Sequence, residues 1–138
     1  MLRFLRKYAP KQNRICLSLY PVHKKKFTVN NNEEFVDKVM NSKRAVIVNF
    51  HAEWCEPCKI LTPKLSELLQ PNEDVDLAIV DVESHVDLVH TFEVKAVPAV
   101  VAVKDGHVVD KFIGLVDANM IENLIKKLEQ NDPQDEGK

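Results

Sequence analysis

Three apolar runs of strand length, separated by stretches with helical spacing, constrain the fold more than any other feature of this chain. They are AVIVNF at 45–50, VDLAIVDV at 75–82, and AVVAV, which opens near Ala99. Such nearly unbroken runs suit strands buried on both faces. Between the first two, Ile60, Leu61, Leu65, Leu68 and Leu69 recur at helical intervals. This spacing predicts a helix from near Cys55 to about Leu69, kinked where Pro63 removes a backbone donor. Between the second and third runs, Val86, Val89 and Phe92 predict a short helix.

The flanks complete the order. A short strand is expected at 27–29, then a helix from Glu33, capped by Asn31 or Asn32, with Phe35, Val36, Val39 and Met40 on its apolar face. QPNED at 70–74 ends the central helix. Asp105-Gly106 is a hairpin signal leading into a strand at 108–114. Ile121, Leu124, Ile125 and Leu128 mark a last helix. The order β-α-β-α-β-α-β-β-α predicts an α/β domain, with right-handed crossovers, a sheet covered on both faces and one antiparallel hairpin at its end. About 110 residues in that arrangement bury a core without structural disulfides.

Charge divides the chain. No acid precedes Glu33, whereas Arg3, Arg6, Lys7, Lys11, Arg14 and Lys24 to Lys26 all do. From Phe27 onward, 11 basic residues face 21 acidic ones, a net of −10. An acidic body argues against nucleic acid as a partner. No apolar run reaches the length of a membrane span, 99–103 being typical. The acid-free segment 1–26 reads as a mitochondrial transit peptide, or otherwise a disordered basic arm. Leu2, Leu5 and Ala9 follow helical spacing there, although Ser18 is its only serine. Cleavage between Arg14 and Phe27 would remove Cys16. The domain is expected at 27–130, followed by an acidic flexible tail at 131–138.

The remaining cysteines stand in HAEWCEPCK at 51–59. One C-x-x-C without a second pair cannot close a four-cysteine zinc site. His51 could add a third ligand, but no fourth is evident, so no metal is assigned. A lone C-x-x-C within a strand–helix pattern points to thiol–disulfide chemistry. Cys55 falls where a buried strand gives way to a helix, where free N–H groups and the helix dipole favour a thiolate. Cys58 lies one turn further on the same face, placed to attack a mixed disulfide. This division of labour calls for an exposed Cys55 and a shielded Cys58. Pro57 sits early in the helix, where proline stiffens the turn without loss.

AEWCEPCK resembles the active-site motif W-C-G-P-C-K of the thioredoxin family. The likeness continues in Pro63, VKAVPA around Pro98, KDG at 104–106 and Gly114, and covers about 27–130. It is strongest to the family's mitochondrial members. The resemblance implies a thioredoxin fold, a mixed sheet of about five strands flanked by about four helices. It implies Cys55 as nucleophile, Cys58 as resolving thiol and a redox-active disulfide between them, with no bound cofactor. It implies a cis Val97–Pro98 bond and a shallow substrate surface of Trp54, Pro57, Ala96, Val97, Pro98 and Gly114. Residue by residue, Trp54 could equally be core and Pro98 a strand starter. The implied partners are a flavin- and NADPH-dependent thioredoxin reductase, peroxiredoxins and other disulfide-containing proteins. The implied setting is a monomer in the mitochondrial matrix. A thioredoxin-fold binding module with weak redox cycling is the alternative.

Two departures tune that expectation. Glu56 replaces the motif's glycine. A carboxylate roughly 7 Å from a thiolate costs it about 0.6–1.2 kcal/mol at a dielectric of 40–80, which raises the Cys55 pKa unless Glu56 points into screened water. Asn49 stands where the family has a buried Asp that helps move the resolving thiol's proton, and Ile79 where a lysine accompanies it. Losing both charges avoids desolvation, but Asn takes up no proton, so slower exchange is expected near neutral pH. His51 reads as surface packing.

Overall fold

The computed structural model describes residues 26–130. The segment read as a transit peptide up to residue 25, Cys16, and the tail 131–138 lie outside the described residues.

Five strands form one mixed sheet: β1 (Lys26–Thr28), β2 (Ala45–His51), β3 (Val75–Asp81), β4 (Ala99–Lys104) and β5 (His107–Ile113). Their order across the sheet is β1-β3-β2-β4-β5. β1 and β2 both run parallel to β3, whereas β4 is antiparallel to β2 and to β5. Four helices flank the sheet: α1 (Asn32–Phe35), α2 (Glu56–Leu69), α3 (Val86–Thr91) and α4 (Ala118–Gln130). Alternate residues of each central strand face opposite layers, as the pleat requires. Ile47, Leu77, Ile79, Val100 and Ala102 pack against Leu61, Leu65, Leu124 and Leu128 of α2 and α4. Val46, Val48, Phe50, Val80 and Val101 pack on the other face against Phe35, Val39, Leu88 and Phe92.

The expected elements are all present, with three differences. Asn31 caps α1, its side chain accepting from the Glu34 N–H (2.7 Å), but the helix widens to a π-turn over Val36–Met40, closed by Asn41 N–H to Val36 O (2.8 Å). Val36, placed by helical spacing on the apolar face, is exposed there because the wider turn rotates it outward. Val86 is likewise exposed, and Leu88 and Phe92 supply the core contact of α3 instead. The third difference is direction. A β-α-β rhythm suggests a return crossover after β3, yet α3 spans six residues, about 9 Å against about 23 Å for a seven-residue strand. That helix alone does not run the length of the sheet, and β4 starts at the end where β3 finishes, with Ala99 opposite Phe50.

That reversal places the site, since it brings residues 96–98 to the same end of the sheet as the close of β2. Pro63 stands exposed within α2 without ending it. The Asp105-Gly106 turn has both residues at positive φ (52° and 76°), the geometry that matches a two-residue hairpin.

Candidate active site

β2 ends at His51, and a tight turn closed by Cys55 N–H to Ala52 O (3.2 Å) sets Cys55 in extended conformation before α2. Cys55 is the N-cap of that helix. Its Sγ accepts a hydrogen bond from the backbone N–H of Cys58 (3.2 Å), doing with sulfur what a Ser or Asp oxygen does at other caps. Pro57, in the first turn, has no N–H to leave unpaired. Cys55 and Cys58 are joined in a disulfide, their Cα atoms 5.3 Å apart.

Contrary to the expectation of one exposed and one shielded thiol, the two cysteines are 3 % and 2 % exposed. In the disulfide each sulfur covers the other, and both pack with Ala52, Val82 and Val97. The asymmetry lies in hydrogen bonding and helix position: only Cys55 receives the terminal N–H. Once reduced, that N–H and the dipole of a fourteen-residue helix act on Cys55.

The Val97–Pro98 peptide is cis. Pro98 O accepts from the Gly114 N–H (2.7 Å), which ties the end of β5 to the approach of β4. Gly114 has φ +98°, a conformation that other residues adopt only with strain. Trp54 is 64 % exposed, which excludes the core reading left open for it. With Ala96 and Val97 it lines a shallow groove of about 240 Å³, completed by Val82, Val86, Val89, Val94 and Lys95. Pro98 itself is buried, Pro57 is exposed, and Gly114 is half-buried between exposed Ile113 and Leu115. Of the groove's valines, Val86 and Val89 were read from sequence only as marking a short helix and Val82 as the end of a strand run. A larger depression of about 370 Å³ lies at the opposite end of the sheet among Lys43, Arg44, Asp74 and Lys104, away from the cysteines.

Asn49, bonded to the helix that carries Cys58, is fully buried, paired in register with Ile79 on one side and Val100 on the other. Its Nδ2 donates to Thr62 Oγ1 (2.8 Å), and its Oδ1 has no partner. Thr62 gave no signal in the sequence beyond standing four residues after Cys58. Glu56 turns outward, its side chain 80 % exposed and paired with Lys59 Nζ at 3.3 Å. That geometry favours the screened alternative. His51 is half-buried at the end of β2, opposite Asp81. Among the described residues, no group of three or more His, Cys, Asp or Glu side chains is placed to hold a metal ion, and no helix is long and apolar enough to cross a membrane.

Known proteins share this arrangement. The mitochondrial thioredoxin of Mus musculus is 44 % identical over 116 residues, covering 83 % of this chain and 66 % of the mouse protein, so the chain spans just under two thirds of that relative. A mutant thioredoxin from Halobacterium salinarum superposes with TM-score 0.71 at 28 % identity, covering 79 % of this chain and 95 % of the other. A chain from a structure addressing thiol resolution in a yeast mitochondrial 1-Cys peroxiredoxin via glutathione/thioredoxin systems gives TM-score 0.63 at 30 % identity, covering 77 % and 93 %. The thioredoxin family model matches residues 26–127. With that match over most of its length, a five-stranded thioredoxin fold and a disulfide-forming C-x-x-C pair at the head of α2, this chain belongs to the thioredoxin family.

Proposed function

We propose that the protein reduces protein disulfides by dithiol–disulfide exchange, with Cys55 as nucleophile and Cys58 as resolving thiol. One observation carries the reading: Cys55 caps α2 and its sulfur receives the Cys58 N–H, while Cys58 closes a disulfide to it from one turn inside the helix. In the dithiol form, Cys55 attacks one sulfur of a client disulfide. A mixed disulfide forms and one client thiolate leaves. Cys58, having released its proton to solvent, attacks Cys55 Sγ, so the second client thiolate departs and the Cys55–Cys58 disulfide forms. The client gains two electrons and, in water, two protons. A dithiol on a flavin- and NADPH-dependent thioredoxin reductase returns the electrons to the pair.

The groove of Trp54, Ala96 and Val97, flanked by Pro57, Pro98 and Gly114, supplies an apolar seat for the client backbone next to the sulfurs. Peroxiredoxins and other disulfide-containing proteins are the client class. Mitochondrial import, into the matrix and through the basic N-terminal segment 1–26, is supported by that segment's composition and by the mitochondrial name of the mouse relative. The domain is 27–130, and the protein acts as a monomer.

NADPH oxidation coupled through a thioredoxin reductase to a protein disulfide tests the activity. Turnover that vanishes in both Cys55→Ser and Cys58→Ser supports it. A wild-type protein that binds oxidised clients without turnover would support the alternative, a binding module, which the neutral Asn49–Ile79 pair favours. Cell fractionation tests the compartment.

A further inference from the structure

One buried acceptor in this site lacks a donor. Asn49 points from β2 into the layer beneath α2, its Nδ2 spent on Thr62 Oγ1, and its Oδ1 fully enclosed with nothing to accept from. Buried carbonyl oxygens are rarely left so. Thr62 lies four residues after Cys58 on α2, and residues at that interval stack on one helix face. Cys58 is itself buried, and its sulfur is bonded to Cys55 in this structure, so it carries no proton. Reduction breaks the S–S bond, delivers two electrons and two protons from a donor dithiol, and gives Cys58 an S–H, a donor the oxidised form lacks.

We propose that Thr62 is a positioning residue for the resolving thiol: by accepting from Nδ2 it fixes the Asn49 amide so that Oδ1 accepts a hydrogen bond from the Cys58 S–H in the dithiol form. The proposal rests on the assignment of Cys58 as the resolving thiol. With Nδ2 on Thr62 Oγ1, Oδ1 is the amide atom left for the thiol; a rotated amide would leave Nδ2, a donor, there instead. The hydrogen bond exists only after reduction, so it favours the dithiol over the disulfide. It also holds the proton on Cys58 and slows formation of its thiolate. Ile79 and Val100 on either side of Asn49 bring no competing charge or hydrogen-bonding side chain.

The test compares wild type, Thr62→Val and Thr62→Ser, equilibrated with defined dithiol/disulfide buffers and titrated at Cys58. Thr62→Val removes the acceptor at nearly constant shape. It is expected to move the equilibrium about threefold toward the disulfide, the effect of one modest hydrogen bond, and to lower the Cys58 pKa. Thr62→Ser restores both. Unchanged equilibrium and titration in a folded Thr62→Val protein would overturn the proposal and leave Thr62 with a packing role. A second reading does not depend on that variant folding. In Cys55→Ser made in a Cys16→Ser background, Cys58 is the one thiol left in the sequence, and its infrared S–H stretch should lie below that of a free thiol and return upward in Asn49→Leu. A free-thiol stretch in Cys55→Ser itself would refute the hydrogen bond. Absence of client reduction by wild type would instead count against the proposed function while leaving the S–H result to stand or fall alone.

Discussion

Asn49 and Glu56 are the two residues that set this chain apart from the family motif, and their surroundings give them unequal weight. Glu56 is exposed and paired with Lys59, where water and salt screen its field. Glu56→Gly should therefore move the Cys55 titration downward by only a fraction of a unit, measured by pH-dependent alkylation. No movement, or an upward one, would remove Glu56 from the account. Asn49 is buried beside Ile79 with no charge to share. Asn49→Asp introduces a group that can take the Cys58 proton, and should accelerate client reduction near neutral pH by roughly tenfold or less, below the ~10²–10⁴-fold of a well-placed general base. It should also cost stability, because a carboxylate would enter an apolar layer. A rate equal to wild type would make Asn49 only a core amide. Both residues were visible in the sequence as departures from a motif. Thr62 was not, since a threonine on a helix reads as surface until the strand beneath it is known to carry an amide.

At the scale of elements, the three central strands were legible because a sheet covered on both faces favours nearly unbroken apolar runs of strand length. Helix faces were less so. Val36 and Val86 fit an apolar stripe, but one is turned out by a π-turn and the other lines the groove. The direction of β4 was illegible, because an apolar strand buried on both faces reads the same in either direction and the seventeen residues from 82 to 98 allow both. Two contacts that hold the last elements can be tested. Asp110 on β5 accepts from Lys127 of α4 (2.9 Å), and this hydrogen bond chiefly, with the Lys111 N–H also helping and burial opposing, holds its carboxyl below the ordinary value of 3.8. A carboxyl depressed on folding stabilises the protein above its unfolded pKa and loses that contribution as pH falls through the folded value. Denaturant titrations should thus show wild type losing, below about pH 3.8, an advantage of less than about 1 kcal/mol over Asp110→Asn, small because both side chains are partly exposed. An identical pH profile in the two proteins would dismiss the contact. Gly114→Ala meets no neighbouring atom but must adopt φ +98°. It is expected to cost about 1 kcal/mol or more, read as a lower denaturation midpoint.

For the whole molecule, the sheet gathers at one end what the sequence scatters over sixty residues: the Cys55–Cys58 turn, the cis Val97–Pro98 bond and Gly114. The apolar groove beside them accounts for the exposure of Trp54. Trp54→Ala should raise KM for a protein disulfide severalfold while leaving reduction of a small aromatic disulfide nearly unchanged, since only the protein client reaches across the groove. Equal losses on both substrates would mean that Trp54 supports the cysteines and not the client. The claim that matters most is that this pair works as a reductant. It is tested most directly by the redox equilibrium of Cys55–Cys58 in defined dithiol/disulfide buffers, read by thiol labelling and mass. A potential near or below about −270 mV, the figure that belongs to thioredoxins in general, is expected. A value between about −180 and −120 mV, the range of isomerases and oxidants, would contradict it.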